Sequence, residues 1–367
     1  METLDIFAMA PPGLEPVLAD EMRAAGFPDP VKVPGGVTIR GGWPDIWRAN
    51  LELRGAGRIT ATIAGFRAMH LAQLDKRARK VDWRAVLRDD VPVRVEASSR
   101  KSRIYHAGAA QQRVEGALDA AGIAIDAKAP VTLRVRIDDD WVSIAVDTSG
   151  EPLHRRGYKE AVGKAPLRET LAALILRACG YRGQEPVFDP MCGSGTFVIE
   201  AAEIAAGLRP GRSRGFAFEH LASFDPDAWA ALRDTPPPPL SDLAFHGSDR
   251  DAGAFARARD NADRAGVGPV CDFRKATVSE IAPPPGPPGL VVANPPYGTR
   301  IGDKKGLYAL YGALGASLGA RFSGWRVGIV TTDAGLANAT GLPFHPPGPI
   351  IPHGGLKVRL WQTDPLP

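Results

Sequence analysis

Cysteine is scarce: only Cys179, Cys192 and Cys271 occur in 367 residues. They form neither a CxxC pair nor a dense, even-numbered set, which excludes a secreted disulfide framework and fits a reducing compartment. No stretch reaches the roughly 18 apolar residues of a membrane span. The N-terminal METLDIFAMAPPGLEP carries acids and prolines where a signal peptide needs a basic start and a sustained apolar run. A cytoplasmic protein with no membrane partner is therefore expected. Strong charge imbalance is also missing, since 45 Lys and Arg against 41 Asp and Glu leave a net charge of +4. That small excess is compatible with a polyanionic partner but does not name one. No solenoid repeat is present, and the first half contains no glycine-rich cofactor loop.

What is present is an ordinary globular composition, 44% apolar and 23% charged, which supports a packed core. A chain of 367 residues exceeds what one core sustains, so two or three domains are expected. In the first half, alternation of apolar residues predicts strands over 4–8, 37–40 and 58–64, with helices over 12–25 and 46–53 between them. A second α+β unit follows, with helices over 82–87 and 107–121 and strands over 91–97, 131–137 and 141–147. The acidic run Asp138, Asp139, Asp140 between the last two strands is expected to be a solvated hairpin turn. Beyond the hinge-like GEPLHRRGYKEAVGKAPLRET the pattern changes to strands separated by helices, over 187–189, 244–248, 270–273, 290–293, 327–331 and 357–362. That pattern predicts a parallel α/β sheet, and the proline tracts at 236–239 and 283–288 read as surface connections.

Two constellations carry chemistry. In PVFDPMCGSGTFVIEAA a strand delivers Asp189, a turn through Gly193 and Gly195, and then a helix from Thr196. Glycines let the backbone turn tightly and approach a ligand, and the helix start offers unpaired N–H groups to an anionic one. The next strand ends in GSDRD, whose Asp249 can accept from both hydroxyls of a ribose; Asp251 is the alternative contact, one of the pair being a helix cap. A nicotinamide cofactor would call for a third glycine where Val198 stands, so S-adenosylmethionine is the better fit.

The second constellation is GLVVANPPYGTRIG, in which an apolar strand carries Asn294, Pro295, Pro296 and Tyr297 to the carboxyl edge of the sheet. An exocyclic amine conjugated to a purine is a poor nucleophile because its lone pair is delocalised. If the Asn294 side-chain oxygen and the Pro295 carbonyl each accept one amine proton, the nitrogen moves toward tetrahedral geometry and can attack a sulfonium methyl group. The prolines stiffen the loop, and Tyr297 offers a face for an unpaired base. Arg100, Lys101 and Arg103, and separately Arg155, Arg156 and Lys159 beside His154, are candidate RNA contacts; Arg300, Lys304 and Lys305 read equally as phosphate contacts or solvated charges. No metal site is expected, and Cys192 reads as a small packed side chain rather than a nucleophile.

These motifs, in this order and spacing, resemble the RNA methyltransferases that join a THUMP domain to a class I S-adenosylmethionine-dependent domain, RlmL-type guanine-N2 enzymes above all. DPMCGSGT, GSDRD, NPPYGTRIG and LHRRGYK carry the resemblance in the second half, FAMAPPGLEPVLADEM and VRVEASSRKSRIYH in the first. It implies a ferredoxin-like domain over 1–65, a THUMP RNA-binding domain over 66–155 and a Rossmann-like methyltransferase domain over 156–367, with the last strand of a seven-stranded sheet antiparallel. It further implies cofactor contacts at Asp189, Pro190, Met191, Cys192, Gly193, Ser194, Gly195, Thr196, Asp249 and Arg250, and amine-holding by Asn294 to Tyr297. The third strand, CDFRKATVSEI, departs from the pattern: it brings no carboxylate at 275–277, leaving Asp272, Phe273 or backbone atoms for the adenine. Some members of that family continue into a second methyltransferase domain, and with KVRLWQTDPLP as the last residues that second activity is expected to be absent. Methylation of guanine N2 in 23S ribosomal RNA is the expected function. A tRNA guanine-N2 enzyme, a DNA adenine-N6 enzyme and a noncatalytic RNA-binding assembly factor are the alternatives.

Overall fold

A computed structural model describes residues 3–159, 167–234, 236, 239, 242–297 and 304–367. The chain divides into two compact units. The first comprises residues 1–10, 22–153 and 214–235, and the second 11–21, 154–213 and 236–367, so the polypeptide crosses between them more than once.

The first unit is built on one seven-stranded sheet. Its strands are β1 (Leu4–Met9), β2 (Val31–Val33), β3 (Gly36–Gly41), β4 (Ile59–Arg67), β5 (Val93–Arg100), β6 (Val131–Asp138) and β7 (Trp141–Asp147), in the order β2-β3-β1-β4-β7-β6-β5. Every pairing is antiparallel except β5 with β6. The segments expected as ferredoxin-like and THUMP domains therefore share a continuous sheet. In β1 the two-residue alternation buries Leu4, Ile6 and Ala8 on one face. The buried Asp147 carboxylate links β4, β6 and β7 by accepting from Arg58 and, at 3.1 Å, from Arg134.

Chain order places α1 (Glu15–Ala24) after β1, α2 (Trp43–Glu52) after β3, α3 (Leu71–Ala78) after β4 and α4 (Ala107–Ala120) after β5. His70 and His106 cap α3 and α4, each Nδ1 accepting a backbone N–H three residues on. The expected helix over 82–87 is replaced by a single 3₁₀ turn, Trp83–Ala85, and the helix lies earlier, in α3. There Leu74 and Ala78 repeat at helical spacing and are buried, whereas Trp83 turns back so that its indole N–H donates to the Ala78 carbonyl. The β6–β7 turn holds Asp139 and Asp140 at φ 52° and 60°, the left-handed pair of a tight hairpin.

The second unit contains α5 (Glu169–Ala178), β8 (Val187–Asp189), α6 (Thr196–Ala205), β9 (Phe245–Asp249), α8 (Ala252–Ala265), β10 (Cys271–Lys275), β11 (Leu290–Ala293), α9 (Lys304–Arg321), β12 (Arg326–Thr331), α10 (Ala334–Ala339), β13 (Ile351–His353) and β14 (Leu356–Gln362); α7 (Pro226–Arg233) belongs to the first. The order β10-β9-β8-β11-β12-β14-β13 is parallel through β12, and β14 pairs antiparallel with β12, as the resemblance implies. Strand order reverses at β8, the first strand of this sheet: β9 and β10 lie on one side and β11 and β12 on the other. In open α/β sheets a crevice for ligands opens at such a point, beyond the carboxyl ends of the strands. An apolar core containing Phe188, Val291, Tyr311, Leu314, Phe322 and Ile329 packs at the middle of this sheet. Among the described residues, no helix is long and apolar enough to cross a membrane.

Candidate active site

Three adjacent parallel strands, β9, β8 and β11, deliver the sequence motifs to one edge. After β8 the chain makes a tight turn: the Met191 N–H donates to Asp189 Oδ1 at 2.9 Å, Cys192 N–H to the Ser248 carbonyl at 2.9 Å, and Gly195 N–H to the Cys192 carbonyl at 2.8 Å. Gly193 and Gly195 stand at φ 55° and 84°, a region that favours glycine. The two glycines serve different needs. A Cβ on Gly195 would lie 3.0 Å from the Ala258 Cβ and 3.2 Å from the Phe273 ring, so this glycine permits close packing of turn, helix and strand. A Cβ on Gly193 would meet nothing within 4 Å, so this glycine faces open space into which a ligand can be received.

Asp249, at the end of β9, sits beside the turn. Its Oδ2 accepts from the Gly193 N–H at 3.0 Å and its Oδ1 from the Asp251 N–H at 2.9 Å. Asp251 caps α8 by accepting from the Gly253 N–H at 2.9 Å, which resolves the pair: Asp251 is the cap and Asp249 is the carboxylate at the turn. Asp189 is buried, and burial, reinforced by the Asp249 charge, raises its pKa to about 8 against the opposing effect of the Met191 N–H bond. Cys192 is buried too, and its thiol is pushed well above its ordinary range by burial and both aspartates, which disfavours the thiolate. Arg250 is exposed beyond the strand end.

On the other side of β8, β11 ends at Asn294. The Asn294 side-chain oxygen is buried and has no hydrogen-bond partner among the described residues. A buried acceptor left unsatisfied costs about 1–3 kcal/mol, so such groups are rare unless a ligand completes them. Pro295 is buried and Pro296 and Tyr297 partly so; Tyr297 packs, with Met191 of the cofactor turn, against the core beneath the sheet edge. Burial raises the Tyr297 phenol to about 12, which keeps it neutral at physiological pH. Arg300 lies outside the described residues, and Lys304 and Lys305 open α9 fully exposed.

Other sequence candidates are placed differently. In β10 successive side chains alternate, so Phe273 faces Gly195 and Gly247 while Asp272 points to the opposite face, bound to Arg274 at 2.5 Å and near His246 at 3.4 Å. Phe273, not Asp272, is the β10 side chain against the glycine turn. Arg156 is buried and its guanidinium donates to the fully buried Glu200 at 3.1 Å; that internal ion pair removes it from the reach of a phosphate. Lys159 is similarly engaged, with Glu169 at 3.0 Å and the Thr196 hydroxyl at 2.8 Å, and thereby braces the start of α6. Arg155 is exposed, and His154 is pushed down to about 4 by burial and the surrounding cations, which leaves it neutral. In the first unit Arg100 is paired with Asp138 at 2.6 Å, the Arg103 N–H donates to Asp140 at 2.8 Å, and Lys101 is exposed at φ 48°. The acidic hairpin tip thus neutralises part of the basic cluster.

Residues 156–342 match the family model described as RMKL-like, methyltransferase domain, and residues 5–60 match the RlmL ferredoxin-like domain. The chain belongs to the RMKL-like methyltransferase family. Among the relatives of this family member is the ribosomal RNA large subunit methyltransferase K/L of Syntrophotalea carbinolica, 36% identical over 98% of this chain and 53% of the relative. The chain spans about half the length of the K/L relatives it matches. The protein slr0064 of Synechocystis sp., described as an RNA methyltransferase, is 30% identical and matches end to end, over 99% of this chain and 97% of its own. Among solved structures, SMU.472 in complex with SAH superposes with a TM-score of 0.90 at 28% identity, covering 100% of this chain and 99% of that one. A Listeria monocytogenes protein described as a predicted N6-adenine-specific DNA methylase gives 0.88 at 31% identity over 99% and 96%.

Phe273, one of the alternatives left open by CDFRKATVSEI, is singled out once the β10 register is fixed. One residue beside the glycine turn escapes sequence reading. Asn261 is fully buried in the alanine stripe of α8, where its amide donates to the Ser194 carbonyl at 3.1 Å and holds the glycine turn. A polar residue inside a stripe of alanines is the signal that could have marked it.

Proposed function

We propose that this protein methylates the exocyclic amine of a base in RNA, guanine N2 in large-subunit ribosomal RNA, with S-adenosylmethionine as donor. The single observation that carries this reading is the Asn294 oxygen at the carboxyl end of β11, buried and without a hydrogen-bond partner among the described residues. Beside it, on the neighbouring β8, is a glycine turn with open space at Gly193 and a carboxylate at Asp249. The residues fit the cofactor: Asp249 would take the ribose hydroxyls, Phe273 an apolar ring face, and the 190–196 turn the remainder. When bound, S-adenosylmethionine supplies an electrophilic methyl group. This chain's own residues do the rest. Asn294 Oδ1 and the Pro295 carbonyl accept the two amine protons, which localises the lone pair on nitrogen, and Tyr297 holds the base face. The alkylated nitrogen is acidic enough to release its proton to solvent, so no strong general base is required. Residues 66–155 are proposed as the THUMP module that carries RNA affinity, following a ferredoxin-like segment over 1–65 and preceding the catalytic domain over 156–367, in the cytoplasm.

Because the amine-holding loop recognises an amine rather than a particular ring, adenine N6 is the second reading, and the name of the Listeria neighbour favours it. Mass spectrometry of nucleosides from ribosomal RNA, transfer RNA and DNA decides between them. Cells lacking the protein should lose N2-methylguanine from large-subunit RNA alone. Loss of N6-methyladenine instead would replace the guanine reading.

A further inference from the structure

The first unit holds a cavity of about 830 Å³ that the methyl-transfer site does not use. Its floor is apolar, formed by Ile63 and Phe66 of β4 with Val81 and Val86 beyond α3. Its rim is basic. The helix α3 turns Leu74 and Ala78 inward, which leaves Lys76 and Arg77, and Lys80 just past the helix end, exposed along the cavity. Arg79 between them is occupied by Asp75 at 2.9 Å, whereas none of the three rim cations forms an ion pair among the described residues. The Arg77 guanidinium lies 6.0 Å from the centroid of the Phe66 ring, so cation and aromatic face already meet at the floor. Asp82 is the one carboxylate in the lining.

Three cations against one carboxylate attract an anion, and an apolar floor with an aromatic ring selects an anion that carries a flat apolar group. A volume of 830 Å³ falls within the range of sites for small organic ligands, roughly 300–1,000 Å³. A nucleotide combines both halves of that requirement. A base-paired duplex does not, because its faces are stacked away from side chains. We propose that this groove docks a single-stranded segment of the RNA substrate, with one unstacked base on Phe66 and the adjoining phosphates on Lys76, Arg77 and Lys80. The assignment rests on the RNA reading above and adds to it a site separate from the basic cluster at Arg100 to Arg103.

The test is fluorescence anisotropy with a labelled mixed-sequence RNA oligonucleotide, single-stranded or annealed to its complement. Wild-type protein should prefer the single strand. The double variant Lys76→Gln, Lys80→Gln should lower that affinity by about tenfold and flatten the log K against log salt slope by about 1.4, two single-strand phosphate contacts. Phe66→Leu should weaken binding by about fivefold with the slope retained, the signature of lost stacking. Calorimetric affinity for S-adenosylmethionine should be unchanged in both variants, which shows that they fold. Wild-type affinity and slope in the exposed lysine double variant, or equal binding of duplex and single strand, overturns the proposal. If it is overturned while methyl transfer still depends on Asn294, the functional reading stands alone. If the groove behaves as described and no RNA is methylated, the groove stands and that reading falls.

Discussion

Replacing Asn294 by alanine separates an amine-holding residue from a structural one, because the first role predicts a slower reaction at unchanged stability and the second a loss of both. The Asn294 oxygen is buried without a partner among the described residues, and an unsatisfied acceptor of that kind costs about 1–3 kcal/mol. Alanine removes that penalty and leaves a small void that costs a comparable amount. The expected change in unfolding free energy is therefore within about 1 kcal/mol, or about 2–4 °C in Tm for a domain of this size. The reaction should respond quite differently. Deleting one preorganised hydrogen-bond partner of a transition state typically costs about 2–4 kcal/mol, roughly a 30- to 1,000-fold lower single-turnover rate. Rapid-quench methyl transfer from labelled S-adenosylmethionine, with calorimetric cofactor affinity and thermal unfolding on the same preparations, measures all three quantities. Unchanged cofactor affinity and Tm with a slow chemical step is the expected result. A wild-type single-turnover rate, or a loss of activity matched by a Tm fall of many degrees, refutes the amine-holding argument.

Tyr297→Phe should retain nearly full activity because the ring remains, whereas Tyr297→Ala should lose about 1–3 kcal/mol, chiefly in the RNA concentration giving half-maximal single-turnover rate. Asp249→Ala removes the carboxylate that holds the Gly193 N–H at 3.0 Å, and calorimetry should show cofactor affinity at least about tenfold weaker. Asp189 has a folded-state pKa of about 8, raised by burial from 3.8. Its contribution to stability is thus complete below pH 3.8 and is lost as pH rises through about 8. Asp189→Asn should cancel that slope, so wild-type and variant Tm should diverge between about pH 6 and 8, the upper half of the window, with wild type the one that falls. Arg156→Ala removes an ion-pair partner of the fully buried Glu200 and should cost about 3–5 kcal/mol in denaturant unfolding; an RNA-binding deficit without that loss would restore Arg156 as a phosphate contact.

The geometry of the candidate site was legible because its motifs are local in sequence. A strand, a left-handed glycine turn and a helix start are consecutive in PVFDPMCGSGTF, and NPPY directly follows four apolar residues, so their positions follow from the path of the chain. The strand order was not read, since nothing within β8 states that β9 and β11 are its neighbours; the family resemblance supplied only seven strands with the last antiparallel. Missed elements are those whose periodicity is too short or too uniform to read: β2 and β13 have three residues each, and α5, buried on nearly every side, has no polar face to mark it.

Charge was the least legible property, and the reason is physical. A basic residue in a sequence has a sign but no partner, and the partner decides whether that sign reaches solvent. Arg156 and Lys159 lie in the run LHRRGYK, which reads as a phosphate track, yet α6 brings Glu200 and Thr196 to them, and α5 brings Glu169. Arg100 reads as free until the hairpin register sets Asp138 against it. Lys76 and Lys80 drew no attention because the helix was placed about three turns too late, over 82–87, where they would have preceded it as loop residues. Once α3 is set at Leu71–Ala78, with Leu74 and Ala78 inward, the same lysines are exposed along the cavity that Phe66 also lines. Burial pattern, then, is what converts a charge in the sequence into either an internal brace or a surface that RNA can meet.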